Sequence, residues 1–380
     1  MPKPTIYFDN ASTSWPKPQR VIDAMSRFLT NEAGGPGRSG HRLAIAAERV
    51  VDGVRVKLAK LLHADEPERI IHCLNGTDAL NIAIKGTLRQ GDHVVCTALD
   101  HNSVSRQLEA LCKTGFIART RVDVSSNGVL DPDDVRRAIT PATRLITTVH
   151  ASNVTGAIQP VETIGKIATE HDAVFLLDAA QTAGVVEIDV RAIRADLVAF
   201  PGHKALLGPA GTGALYAGPR TNLRPWREGG TGADSIHPTQ PTELPTRLEA
   251  GMPNTVGLAG LSAALDELDG AAILAHERKM IERLLSAIAD DDRIHVSPTP
   301  RSNACVGLIS LSLDGLAPVD VAAILDESFG IAVRPGLHCA PYAHQAIGTF
   351  PDGTVRIAPG WSTTPEQVDQ LATAIRAIVS

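Results

Sequence analysis

No apolar run in this 380-residue chain reaches the ~18 residues that a membrane-spanning helix needs. No block of lysine and arginine stands out, and the net charge is −6, so the chain lacks the basic stripe that nucleic-acid binding requires. The first residues, MPKPTIYFDN, do not follow the charged-then-apolar pattern of a secretory leader. Five cysteines are scattered with no CxxC pair, which argues against a disulfide framework and against a zinc site. No repeat or low-complexity segment is visible. These absences leave a folded, metal-free protein of a reducing cytoplasm as the expectation. The residues are 43% hydrophobic, and the length suits two packed lobes better than one small core.

What is present is alternation. Between about residues 69 and 218, seven short β-branched runs (RIIHCL, DHVVCTAL, GFIARTRV, TRLITTVHAS, AVFLLDAA, ADLVAFPG and GALYAG) alternate with stretches of helical spacing such as HNSVSRQLEALCKTG and VETIGKIATEHD. Such alternation predicts a mostly parallel α/β sheet covered by helices on both faces, with ligands at the carboxyl ends of its strands. Residues 227–254, rich in proline and glycine, read as a long functional loop. A long helical pattern follows over about 255–290. Shorter strand and helix patterns then suggest a smaller α+β lobe.

The residues that end these strands carry the chemistry. Asp178 closes AVFLL, and Gln181 follows it. A carboxylate there either caps the next segment or faces a cation or ligand, because burying it alone is costly. Lys204 follows ADLVAF in AFPGHKALLGPAGTG, among glycines that permit close approach. A snorkelling surface lysine is the alternative. An aspartate at one strand end and a lysine after the next suit pyridoxal phosphate, which takes an amine as a Schiff base and an acid at its ring nitrogen. Gly76 and Thr77 begin a helix and offer a phosphate seat. His101 is placed to stack on a ring, and Asn153 to reach a ring oxygen or a substrate carboxylate. Singly these could be a helix cap, a loop histidine and a turn asparagine.

Cys339 lies in the loop AVRPGLHCAPYAH beside His338, whereas Cys73, Cys96, Cys112 and Cys305 sit inside periodic segments. A loop thiol next to an imidazole predicts an accessible thiolate. Arg356, in the strand-like TVRIAPG, suits two-pronged capture of a carboxylate.

The stretches YFDNASTS, NGTDALN, LDHNS, HASNVTG, LLDAAQTAG, GHKALLGPAGTG, EAGMPNT and RPGLHCA…VRIAPG together resemble the cysteine desulfurases of the class V aminotransferase family. The short interval from Cys339 to Arg356 resembles the group II, SufS/NifS-like members. The resemblance implies a fold type I (aspartate aminotransferase-like) pyridoxal-phosphate enzyme and a homodimer. It implies conversion of L-cysteine, or L-selenocysteine, to alanine, with a persulfide on Cys339 for a sulfur-acceptor protein. It gives Lys204 the Schiff base and proton transfer. Asp178 takes the ring nitrogen, Gln181 the ring hydroxyl, and His101 the ring face. Gly76, Thr77 and His203 take the phosphate, with Thr255 as a compensating donor. Asn153, Arg356, Arg334 and His338 are left for the substrate. The implied domains are 15–262, binding the cofactor, and 1–14 with 263–380, carrying the cysteine loop.

Three positions depart from the family pattern. Pro201 and Met252 stand where hydroxyl residues commonly hold phosphate, each such bond being worth ~1–3 kcal/mol. Pro335 stands where threonine is frequent. GPGRSG (35–40) matches GxGxxG but follows a helix end, so a dinucleotide site is not expected; Arg38 and His41 fit the mouth of the implied active site. Selenocysteine lysis, another β-elimination or transamination, and a degenerate scaffold of this fold are the competing readings.

Overall fold

The computed structural model describes residues 5–37, 39–125, 127–232, 236–297 and 304–380. Its strands are β1 (Ile6–Tyr7), β2 (Ile70–Cys73), β3 (His93–Thr97), β4 (Ala118–Val122), β5 (Thr143–Val149), β6 (Val174–Asp178), β7 (Leu197–Pro201), β8 (Gly213–Ala217), β9 (Ile294–Val296), β10 (Ile309–Leu313), β11 (Ile331–Ala332), β12 (Arg334–Gly336) and β13 (Thr354–Ile357). All seven runs read from the sequence are strands, and they form one sheet in the order β2-β8-β7-β6-β5-β3-β4. Pairing is parallel from β7 through β6, β5 and β3 to β4, while β8 runs antiparallel to both of its neighbours. Strands β6, β7 and β8 are buried along their whole length, as expected where helices cover both faces.

Apolar side chains pack on the two faces as separate clusters. One includes Leu58, Ile146, Phe175, Leu177, Val198 and Phe200; the other includes Leu80, Ile84, Val94, Leu176 and Leu215. The alternation along β6, Phe175 and Leu177 to one side, Leu176 to the other, is the period-two signature of a strand. A further cluster joins Phe8, Met280, Leu284, Leu311, Ile357 and Leu371 around a four-stranded antiparallel sheet, β12-β13-β10-β9. The N-terminal β1 reaches this region by pairing in parallel with β11.

The expected long helix over 255–290 is two helices, Thr255–Leu265 and Gly270–Ile288. Asp269 caps the second through Ala272 N–H. A Cβ on Gly270 would overlap the carbonyl of Gly184, so the chain must turn there with no side chain. Residues 227–254 contain no helix or strand among those described. No helix among the described residues is long and apolar enough to cross a membrane.

Candidate active site

The carboxyl ends of β2, β3, β5, β6 and β7 converge on one cavity of about 310 Å³. Of the residues singled out in the sequence, it is lined by Gly76 and Thr77 after β2, His101 after β3 and Asn153 after β5. Asp178 and Gln181 after β6, His203 and Lys204 after β7, and Arg334 and Arg356 complete that set. A parallel sheet puts successive strand ends at one edge, which is why residues so distant in sequence meet.

Burial sets the protonation of the basic groups. It lowers Lys204 to about 8; the Asp178 carboxylate opposes that shift, while Arg356 and Arg334 reinforce it. His101 and His203 are both lowered to about 4, first by burial and then by the charge of Lys204. The His101 Nδ1 accepts the Ser103 N–H at 3.1 Å, so the neutral ring carries its proton on Nε2. Asp178 is buried, and burial raises its carboxyl; the Ala180 N–H, at 3.0 Å from Oδ1, and Lys204 pull it back.

Glycines around Lys204 serve the protein's own packing. A Cβ at Gly202 would strike Thr212 Oγ1, and one at Gly213 would come within 2.8 Å of the Asn75 carbonyl carbon. The close approach inferred from the sequence is therefore β7 and β8 against the turn that opens the helix Gly76–Thr87. In that turn the Asn75 side chain takes the Asp78 N–H at 2.9 Å, while no side chain caps Gly76 or Thr77.

The cysteine loop is held from several sides. Asn153 Nδ2 donates to the His338 carbonyl at 2.7 Å, and the Cys339 carbonyl accepts the Asn102 N–H at 2.7 Å. Arg334 Nη2 donates to Cys339 Sγ at 3.2 Å, and its Nη1 to Ser12 Oγ at 2.7 Å. Arg356 is almost fully buried; it bonds Asp9 Oδ1 at 2.8 Å, Ser12 Oγ at 2.9 Å and the Asn153 carbonyl at 3.1 Å.

Several expectations change here. The imidazole beside Cys339 does not face the thiol. His338 Nε2 pairs with Thr354 Oγ1 at 3.0 Å, its ring centroid lies 5.3 Å from that of His344, and it does not line the cavity. Burial lowers it to about 2, so it is neutral, and the cation at the sulfur is Arg334. Asn153 spends its N–H on the cysteine loop. Its unpartnered buried atom is Oδ1, an acceptor, which suits a ring hydroxyl rather than a carboxylate. Thr255 begins its helix outside the cavity. Met252 is 72% exposed and also lies outside it, whereas Pro201 is in its wall. Pro335 occupies the edge strand β12, where a missing N–H costs least. GPGRSG lies between the helices Gln19–Asn31 and Arg42–Leu61, and His41 caps the second of them through Ala44 N–H. Arg38 lies outside the described residues.

Sequence reasoning missed Asp9, Ser12 and Lys17. The first two stand in the quoted YFDNASTS, so the motif was visible without its role. Lys17 Nζ donates to the His203 carbonyl at 2.9 Å, joined there by Thr13 Oγ1, Ser14 Oγ and Ser14 N–H. Four donors on one carbonyl pin the backbone beside Lys204. Burial also lowers the Lys17 amine, to about 8.

The same architecture is found among known proteins. A probable cysteine desulfurase of Methanothermobacter thermautotrophicus is 36% identical over 98% of this chain and 94% of its own. A cysteine desulfurase from Thermococcus onnurineus, solved in its apo form, superposes with a TM-score of 0.92 at 31% identity, covering 99% of this chain and 94% of that one. The Escherichia coli cysteine desulfurase CsdA superposes at 0.87 with 27% identity, covering 98% and 94%. These neighbours share the fold type I architecture expected from the sequence. The aminotransferase class V family model matches residues 6–371, and the chain belongs to that family.

Proposed function

We propose that the protein is a pyridoxal-phosphate-dependent cysteine desulfurase. One observation carries the reading: Lys204, Asp178, His101 and Arg356 line a single cavity, and Arg334 in its wall touches the Cys339 sulfur. The residues suit the cofactor. Asp178 is a buried carboxyl, Gly76 and Thr77 offer N–H groups that no side chain caps, and His203 Nδ1 and Asn153 Oδ1 are buried polar atoms that no protein group satisfies. When bound, pyridoxal phosphate draws electrons from the α-carbon of an attached amino acid and makes a β-sulfur open to attack.

The chain's residues do the rest. Lys204 holds the cofactor and moves protons at the substrate carbon. Asp178 would support the ring nitrogen, Gln181 and Asn153 the ring oxygen, and the neutral His101 would lie against the ring. Gly76, Thr77 and His203 hold the phosphate, with fewer donors because Pro201 has none. Arg356 and Arg334 receive the substrate carboxylate. The Cys339 thiolate forms the new S–S bond as the substrate's C–S bond breaks, leaving a persulfide and, after protonation, alanine.

On this reading the chain divides into a large domain, 15–262, and a small one, 1–14 with 263–380; the cluster around Phe8, Leu311 and Leu371 draws only on the second, while Ala340 and Ala343 of the cysteine loop pack into the core of the first. A homodimer is supported by exposed Ile22, Leu29, Leu43 and Val56 on the helices Gln19–Asn31 and Arg42–Leu61. Thr255 then has a partner's cavity to serve.

The test is incubation of cofactor-loaded protein with L-cysteine and a thiol reductant, quantifying sulfide and alanine together. Equal amounts, lost in Cys339→Ala, support the reading. Pyruvate and ammonia in place of alanine mean β-elimination, and no turnover beside good cofactor absorbance refutes cysteine as the substrate.

A further inference from the structure

Cys339 does not itself line the cavity; it meets the cavity wall through Arg334, and it connects to a second surface as well. Two residues beyond it begins the helix Pro341–Ala346, and the Arg121 guanidinium lies 3.9 Å over the ring of Tyr342 in that helix. Arg121 belongs to β4, the last strand of the seven, which pairs only with β3 among the described strands. The neighbouring helix Asn102–Lys113 holds the Cys339 carbonyl through Asn102 N–H, and its Glu109 pairs with Arg119 of β4. The reactive sulfur's loop is thus braced on both sides by elements that end at an open sheet edge.

In a chain of net charge −6, residues 113–122 contain Lys113, Arg119 and Arg121 and no acid; Arg119 is paired with Glu109 and Asp123 follows, so Arg121 is the cation that the strand leaves unpaired among the described residues. Arg121 is exposed and has no acidic partner among the described residues. Because β4 runs parallel to β3, its carboxyl end lies at the same edge of the sheet as His101. An added strand alongside β4 would be led toward the cysteine loop.

The geometry points to the outer edge of β4, with Arg121 and Tyr342, as the docking strip for the protein that takes sulfur from Cys339: an acidic, extended segment beside an acceptor thiol, added as an eighth strand. The inference rests on the desulfurase reading. Strand addition supplies main-chain hydrogen bonds, and Arg121 supplies steering. The acceptor thiol loses its proton to solvent, and its thiolate attacks the outer sulfur of the Cys339 persulfide. A new S–S bond forms on the acceptor, the bond to Cys339 Sγ breaks, and Cys339 leaves as a thiolate beside Arg334. No outside oxidant or reductant is needed.

The experiment uses the cofactor-loaded full chain, L-cysteine and ten-residue peptides carrying one cysteine. Glutamates stand at alternate positions in one peptide, lysines in a second and serines in a third; a fourth is the acidic peptide interrupted by prolines. Persulfide on the peptide is read by mass spectrometry and alanine by amino-acid analysis. The acidic peptide is expected to show a kcat/KM about tenfold above the lysine peptide, falling with salt. Arg121→Glu should reverse that order and Arg121→Gln abolish it, each rate being read as its ratio to the same variant's reductant-driven alanine release, so that any loosening of the loop cancels. Equal rates for the three uninterrupted peptides, or an unchanged order in both variants, overturn the docking strip. A proline-interrupted peptide as good as its parent overturns strand addition. Absence of alanine with a small thiol reductant in the unaltered protein instead overturns the desulfurase reading, and the strip with it.

Discussion

The two halves of the site are held in place by different physics. Asp178 ends a fully buried strand, and Lys204 follows another; both strands are fixed by sheet hydrogen bonds and apolar packing on two faces. Cys339 follows no strand of that sheet, and in its loop only Ala340 and Ala343 beyond it reach the apolar core. Cys339 and His338 both adopt left-handed backbone, with φ of 61° and 49°, which non-glycine residues seldom do without being forced. What forces them is a polar network: Asn153 and Asn102 on the loop's backbone, Arg334 on the sulfur, and Asp9 and Ser12 behind the arginines. Apolar packing places the groups that act on the cofactor; hydrogen bonds and charge, added to the packing of Ala340, place the thiol. The thiol side is accordingly the one that single polar substitutions should disturb.

The largest expected effect lies on the packed side. Lys204→Ala removes the amine and the proton carrier together, so turnover should fall by ~10²–10⁴ or more, and absorbance of lysine-bound cofactor should vanish while the melting temperature holds. A melting temperature that collapses with the amine would mean that the strand end depends on Lys204, contrary to the comparison.

An intermediate effect is expected from the polar network. Asp9→Asn leaves Arg356, which is 1% exposed, without its carboxylate. Denaturant unfolding should show a loss of about 1.5–3 kcal/mol, since hydrogen bonds to charged groups fall in that range. KM for the amino acid should change while cofactor absorbance stays. An unchanged KM would show that Asp9 does not order the clamp.

The smallest effect tests whether the two halves communicate. Lys204 is nucleophilic only when neutral, and its pKa, lowered by burial to about 8, places the change there rather than near 10.5. Cofactor uptake by apo-protein should therefore accelerate as pH rises through about 8 and level off above it. Asp178 raises that pKa, so Asp178→Asn moves the midpoint down; Arg334 lowers it, so Arg334→Gln moves the midpoint up. Stopped-flow absorbance against pH reads both. Midpoints that do not move would separate the halves electrostatically.

Legibility followed the same division. The strand runs are legible because a buried strand is an unbroken apolar run, and its end residue is then conspicuous, as Asp178, Lys204 and His101 are. The cysteine was found because it stood outside any periodic segment. Its chemical neighbour was misjudged, since adjacency in sequence suggested His338 and the backbone turns that ring toward Thr354. Asp9 and Ser12 gave no signal beyond membership in a motif, because their partners lie more than 300 residues away. The break between the helices Thr255–Leu265 and Gly270–Ile288 is not legible because helical periodicity continues across it; the close passage of Gly184 requires the turn.

Local pattern alone therefore determined the sheet, the family resemblance and the identity of the reactive groups, because hydrophobic period and strand-end position are properties of neighbouring residues. Tertiary structure alone decided which cation meets the Cys339 sulfur, which atom of Asn153 remains free, and what anchors Arg356. Those are contacts between segments whose approach depends on the packing of the whole chain.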